Sequence, residues 1–151
     1  MSFSRDTLKG LYSIKNAEKY VGNPTNIIFR SSYELKFMKW CDYTDSVLEW
    51  GSEEVVIPYI SPVDNRIHRY FVDFYLKTKD KDGSVHKYLV EVKPAKYTKE
   101  PIPPSRKTRR FLTEVVNWAV NQAKWKYATE YCKDKGWKFI IITEKELGIT
   151  Q

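Results

Sequence analysis

Cysteine is almost missing from this 151-residue chain: Cys41 and Cys132 stand far apart, too few for a disulfide framework or a structural zinc site. The setting this implies is reducing and cytoplasmic. His68 and His86 have no partner at ligand spacing, and neither cysteine has a histidine placed to activate it. The six glycines are scattered, which excludes a phosphate-cradling glycine loop. No run reaches the roughly 18 apolar residues of a membrane span. Met1–Asp6 lacks the apolar stretch of a secretory signal. Internal repeats and low-complexity tracts are absent as well. What is present is a 42% hydrophobic and 15% aromatic composition, which a disordered chain does not carry and which fills the core of one domain, residues 1–151.

The chain carries a net +7, and the excess is local. Between residues 93 and 110 stand seven basic residues, Lys93, Lys96, Lys99, Arg106, Lys107, Arg109 and Arg110, against the single acid Glu100, a net of +6. Concentrated positive charge favours a polyanion such as DNA through counterion release. A solvated, solubilising loop is the other reading of the same charges.

Residues 4–20, with Leu8, Leu11 and Tyr12 on one side, predict an amphipathic helix in an N-terminal extension over 1–24, ended by Gly22-Asn23-Pro24. A second helix is expected from Ser31 or Ser32 to about Asp42. Strands are expected over 54–60, 67–77 and 85–93, the last two joined at Asp82-Gly83 into a hairpin and all three forming a meander. Prolines 94, 101, 103 and 104 break residues 94–110 into a basic loop. A long helix from about Arg109 to Lys135 ends at Gly136, and a strand over 137–143 and a helical turn over 144–147 close the chain. The fold class predicted is α/β, a mixed β-sheet flanked by helices.

Three acids and a lysine carry the chemistry. In Tyr88-Leu89-Val90-Glu91-Val92-Lys93, the strand period puts Glu91 and Lys93 on one face and Val90 and Val92 on the other. Asp73 sits among large apolar residues in Phe71-Val72-Asp73-Phe74-Tyr75, and the hairpin brings it beside Glu91. Two carboxylates that close repel unless a cation bridges them, and hard oxygen donors favour Mg2+, or Mn2+ in its place. With Lys93 adjacent, this chemistry is metal-assisted phosphodiester hydrolysis. Each residue also has a plain structural reading. Asp73 or Glu91 alone is an edge-strand charge, Lys93 one more phosphate contact, and Glu34 the acid of a capping box begun at Ser31. On the long helix, Gln122 and Lys126 share a face that flanks the site or simply meets solvent, while Trp118, Trp125 and Tyr131 read as core.

These residues resemble the PD-(D/E)xK nucleases of the restriction-endonuclease-like superfamily, whose αβββαβ core is similar to residues 30–143. The family's helix acid falls on Glu34, its hairpin aspartate on Asp73 and its (D/E)xK motif on Glu91-Val92-Lys93. Arg30-Ser31-Ser32-Tyr33-Glu34 and Phe71-Val72-Asp73-Phe74-Tyr75 are similar in style to the TnsA-like, transposon-end-cleaving branch. The motif's proline is Val72 here. Nearly the whole chain, basic loop included, further resembles tailed-phage nucleases that act on packaged heads. The resemblance implies a DNA nuclease, endonucleolytic with exonucleolytic action left open. Asp73, Glu91 and the Val92 carbonyl would hold one or two Mg2+, and Glu34 a second ion directly or through water. Lys93 would orient or deprotonate the attacking water, and Lys96, Lys99, Arg106, Lys107, Arg109 and Arg110 would grip phosphates without reading sequence. DNA and phage capsid or portal-neck components are the partners implied, the host cytoplasm the compartment, with retention in the virion left open. A non-catalytic DNA-binding or virion structural protein on this fold, and a resolvase of branched DNA, are the competing readings.

Overall fold

The computed structural model of the chain describes residues 9–149. Ser31 leaves extended backbone (φ −160°, ψ 160°), and its hydroxyl accepts the Glu34 N–H at 3.1 Å, which starts helix α1, Ser32–Tyr43. The next element is strand β3, Val47–Ser52, numbered after two short paired strands near the N-terminus, β1 (Gly10–Leu11) and β2 (Ile28–Phe29). A hairpin of β4, Val56–Ile60, and β5, Ile67–Phe71, follows. Then come β6, Phe74–Lys79, and β7, Val85–Val92, the 27-residue helix α2, Arg109–Lys135, β8, Lys138–Ile142, and the short α3, Glu144–Leu147.

The main sheet has the order β3-β6-β7-β8. Its first three strands are antiparallel, and β8 lies parallel to β7 because α2 serves as the crossover. Alternation along β7 divides the core into two layers. Val90 and Val92 pack with Phe37 and Met38 of α1 and with Trp50, while Leu89 packs with Trp125, Ala128 and Cys132 of α2. Helix α2 ends where Gly136 takes a left-handed φ of 73° and returns its N–H to the Cys132 and Lys133 carbonyls. The αβββαβ order of a restriction-endonuclease-like core is present, a mixed sheet flanked by helices.

Two expectations are corrected. The predicted helix over 4–20 is absent from its described part: residues 10–11 are extended, and only Ala17–Lys19 form a 3-10 turn, while residues 4–8 lie outside the described residues. Leu11 is exposed and Tyr12 buried, the alternation of extended chain. Tyr12 donates to Asp42 Oδ2 at 2.6 Å, and the Lys15 and Asn16 N–H groups reach the same carboxylate at 2.9 Å. Burial disfavours that charge, yet these donors together hold Asp42 below its usual range.

The second correction concerns the meander. Its first strand is β3, which the sequence pattern does not single out, and residues 56–60 do not join the main sheet. The run expected over 67–77 is broken at Val72-Asp73 into β5, which pairs with β4, and β6, which pairs with β3 and β7. β3 is drawn inward by Trp50, fully buried with its ring edge-on to Tyr20 at 4.8 Å. Gly51 permits the approach, since a Cβ there would stand 2.8 Å from the Val21 carbonyl oxygen.

Candidate active site

The break at Val72-Asp73 places the site. Phe74 pairs with Val90, so Asp73 lies level with the end of β7, where its Oδ2 accepts the Val92 N–H at 2.9 Å. Glu91 is buried, with 5% of its surface exposed, and points to the α2 side. There the Tyr70 hydroxyl of β5 donates to Glu91 Oε1 at 2.8 Å. Burial, with the Glu91 and Asp73 charges beside it, pushes the Tyr70 hydroxyl far up, so it remains a donor at any working pH. Glu34, also 5% exposed, enters from the first turn of α1. Its carboxyl is raised by burial and by Glu53, against the pull of Arg30.

Asp73 feels all of this. Burial lifts it well above the ordinary carboxylate range, and the Glu91 and Glu34 charges lift it further; the Val92 N–H and Lys93 offset only part. Glu91, Glu34 and Lys93 thus all stand near enough to Asp73 for their charges to act on it. Lys93 is half-buried at the end of β7, its own N–H bonded to the Ile142 carbonyl at 2.9 Å. Just beyond it, Ala95 N–H is held by both Glu144 oxygens at 2.9 and 3.0 Å, which fixes where the basic loop leaves the sheet.

The flanking residues expected on α2 are replaced by a neighbour. Gln122 and Lys126 are exposed and line neither of the two clefts beside Lys93 and Lys96. Lys124 instead turns inward, its ammonium 5.5 Å from the Tyr70 ring and 5.8 Å from the Tyr59 ring. Burial, helped by the Lys93 charge, lowers Lys124, while Glu91 and Asp73 oppose the shift. Trp125 is core as expected.

The basic residues divide. Arg109 and Arg110 line a cleft of about 730 Å³ that runs along α2 to Lys93 and Lys124. Lys96 and Lys99 line a second hollow of about 410 Å³ beside it. Arg106 and Lys107 are exposed and line neither.

Among the described residues, no three histidine, cysteine or carboxylate side chains are gathered closely enough to hold a metal ion. A cation here would therefore rest on two carboxylates, Asp73 and Glu91, and on neutral oxygens such as the Val92 carbonyl. That donor set is hard and oxygen-only, and the repulsion already raising Asp73 is what a cation would relieve. Such oxygen donors suit a hard divalent cation.

The family model described as TnsA-like endonuclease N terminal matches residues 44–144, a stretch that includes Asp73, Glu91, Lys93 and Lys124 and leaves Glu34 outside. The head completion nuclease of Enterobacteria phage T4 is 38% identical over 142 residues, covering 91% of this chain and 92% of that protein.

Proposed function

Since the chain belongs to the TnsA-like endonuclease family, we propose that it is a metal-dependent DNA nuclease of phage head completion whose PD-(D/E)xK-type site is Glu34, Asp73, Glu91 and Lys93. The observation that carries this reading is the meeting of Asp73 and Glu91 at the end of β7, next to Lys93, which lines the basic cleft. Asp73, Glu91 and the Val92 carbonyl would hold Mg2+, or Mn2+ in its place, with Glu34 available to a second ion. When bound, the ion supplies charge neutralisation at the phosphoryl group. Lys93 orients the water that attacks phosphorus and faces the charge that gathers on the phosphoryl oxygens as the bond to the leaving oxygen breaks. Tyr70 fixes the Glu91 carboxylate through its 2.8 Å hydrogen bond. The basic loop holds the backbone on either side of the scissile bond.

The identity to a head completion nuclease supports a role in trimming packaged DNA so that head and tail join. Capsid or portal-neck components are then its partners and the host cytoplasm its compartment. Purified protein should nick supercoiled plasmid with Mg2+ or Mn2+ and stop in EDTA. DNA binding without nicking under any divalent ion would replace this reading with a non-catalytic one.

The loop has its own signature. Replacing Lys96, Lys99, Arg106 and Lys107 together by alanine should flatten the fall of log affinity with log salt by about 0.9 for each phosphate no longer neutralised. Fluorescence anisotropy on a duplex, titrated with salt in EDTA, measures that slope. An unchanged slope would remove the loop from the interface.

A further inference from the structure

Thr113, Asn117 and Asn121 recur at four-residue spacing, so they stand one above another on α2, and all three line the cleft that ends at Lys93. The Thr113 hydroxyl is occupied by the Arg109 carbonyl at 3.0 Å. The two amides have no hydrogen-bond partner among the described residues. Across from them stands Tyr97, 38% exposed, with Lys96 Nζ 4.8 Å from its ring centroid. The same tyrosine and the same two asparagines border the neighbouring hollow, so the ring stands between the two. Cations occupy both ends of the cleft, Arg109 and Arg110 outside and Lys93 and Lys124 inside.

Cations, hydroxyls and amides can all grip backbone phosphates, but an exposed aromatic ring beside them adds a surface on which bases stack. Free amides and an aromatic face between cations suit bases, and a base offers its π-face and its pairing edge only when it is unpaired. The cleft volume of about 730 Å³ falls in the range of small-molecule sites, room enough for a few nucleotides of one strand.

We propose that this cleft takes an unpaired DNA strand, stacked on Tyr97 and hydrogen-bonded by Asn117 and Asn121, so that the site acts where a strand leaves the duplex. The inference rests on the nuclease reading and adds its substrate class: DNA with a frayed or forked end. Tyr97, in a short 3-10 turn tied by the Thr98 hydroxyl to the Ala95 carbonyl at 2.6 Å, is held in place to stack.

Two fluorescein-labelled DNAs of equal length test it, a blunt duplex and a duplex with one non-complementary arm, compared by anisotropy in EDTA at fixed salt. The forked DNA should bind about tenfold tighter, the contribution of one stacked base. Tyr97→Ala should bring the ratio to about one, Tyr97→Phe should keep it, and the double change Asn117→Ala with Asn121→Ala should reduce it. With Mg2+, cuts by the unaltered protein should cluster at the fork. Equal affinity for both DNAs, or a preference that survives Tyr97→Ala, would overturn the proposal. Because binding is read without metal, a protein that prefers the fork but cuts nothing keeps this inference and loses the nuclease reading. One that nicks plasmid yet shows no fork preference does the reverse.

Discussion

Asp73→Asn is expected to abolish nicking while making the metal-free protein more stable. The first half follows from chemistry, because the amide cannot carry the negative charge that a cation at Asp73 and Glu91 requires. The second follows from electrostatics. Burial and the Glu91 and Glu34 charges raise Asp73 well above its ordinary pKa, so ionised Asp73 destabilises the fold in a way that the unfolded chain escapes. A raised acid binds more protons folded than unfolded, and stability therefore falls as pH climbs from the ordinary aspartate range through the raised value. The asparagine variant avoids that fall. Its amide also keeps an oxygen for the Val92 N–H that now bonds Oδ2 at 2.9 Å. Thermal melts in EDTA should show the variant about 2–4 °C higher near neutral pH, the shift that about 1 kcal/mol produces in a chain of this size. The gap should close as pH is lowered. A variant that melts lower than the parent at neutral pH would show that Asp73 is held for stability rather than for catalysis.

The second large effect separates two lysines that face the same acids. Lys93→Ala should lower kcat by about 10²–10⁴, the span over which a positioned proton-handling group contributes. Duplex affinity in EDTA should change little, because the rest of the basic loop remains. Lys124→Met should lower the rate about tenfold, the scale of a desolvated cation–π interaction, since Lys124 lies over the Tyr59 and Tyr70 rings and acts on Glu91 both through Tyr70 and by its own charge. Single-turnover cleavage with saturating protein reads both losses free of binding. Equal losses would mean that the two lysines form one unit, and an intact Lys93→Ala enzyme would displace the site from β7.

The two lysines also differ in how far a sequence discloses them. Glu91 and Lys93 are legible because they interrupt an apolar strand at period two, a pattern that burial alone does not favour. Helix α2 is legible at both ends, from the prolines before Arg109 and from Gly136 after Lys135. β3 is hidden because Val47-Leu48-Glu49-Trp50-Gly51-Ser52 has a glycine inside it and follows α1 after only three residues. The branched run at 54–60 has the stronger strand pattern and takes its place in a sequence-based meander. That run is a strand, but its partner is β5 alone. Lys124 is obscured for a geometric reason: it lies two residues from both Gln122 and Lys126, about 200° around the helix. Which side of a long helix with apolar residues all round faces the site is settled in part by Tyr59 and Tyr70, and those come from the hairpin. Tyr12 invites a helical reading because three apolar residues in a polar stretch fit a helix, while the hydrogen bond to Asp42 that decides the matter comes from 30 residues away.

Ser52 and Phe74 are cross-strand partners, so the segment between them leaves the sheet and returns to the same place. Its neck is clasped by the Glu53 N–H to the Asp73 carbonyl and the Val72 N–H to the Val55 carbonyl, both at 3.1 Å, and by the Glu53–Arg30 ion pair. The sheet's ladder from β3 to β8 would close without that excursion. Yet the excursion supplies Tyr59, Tyr70 and Asp73, and Asp73, the aspartate of the proposed site, is its final residue. Inheritance in this architecture therefore runs on two tracks: the strands can be preserved for folding while the hairpin lengthens, shortens or changes its outer face. Such changes reach the chemistry through Tyr70 on the hairpin and through the carboxylate at its base.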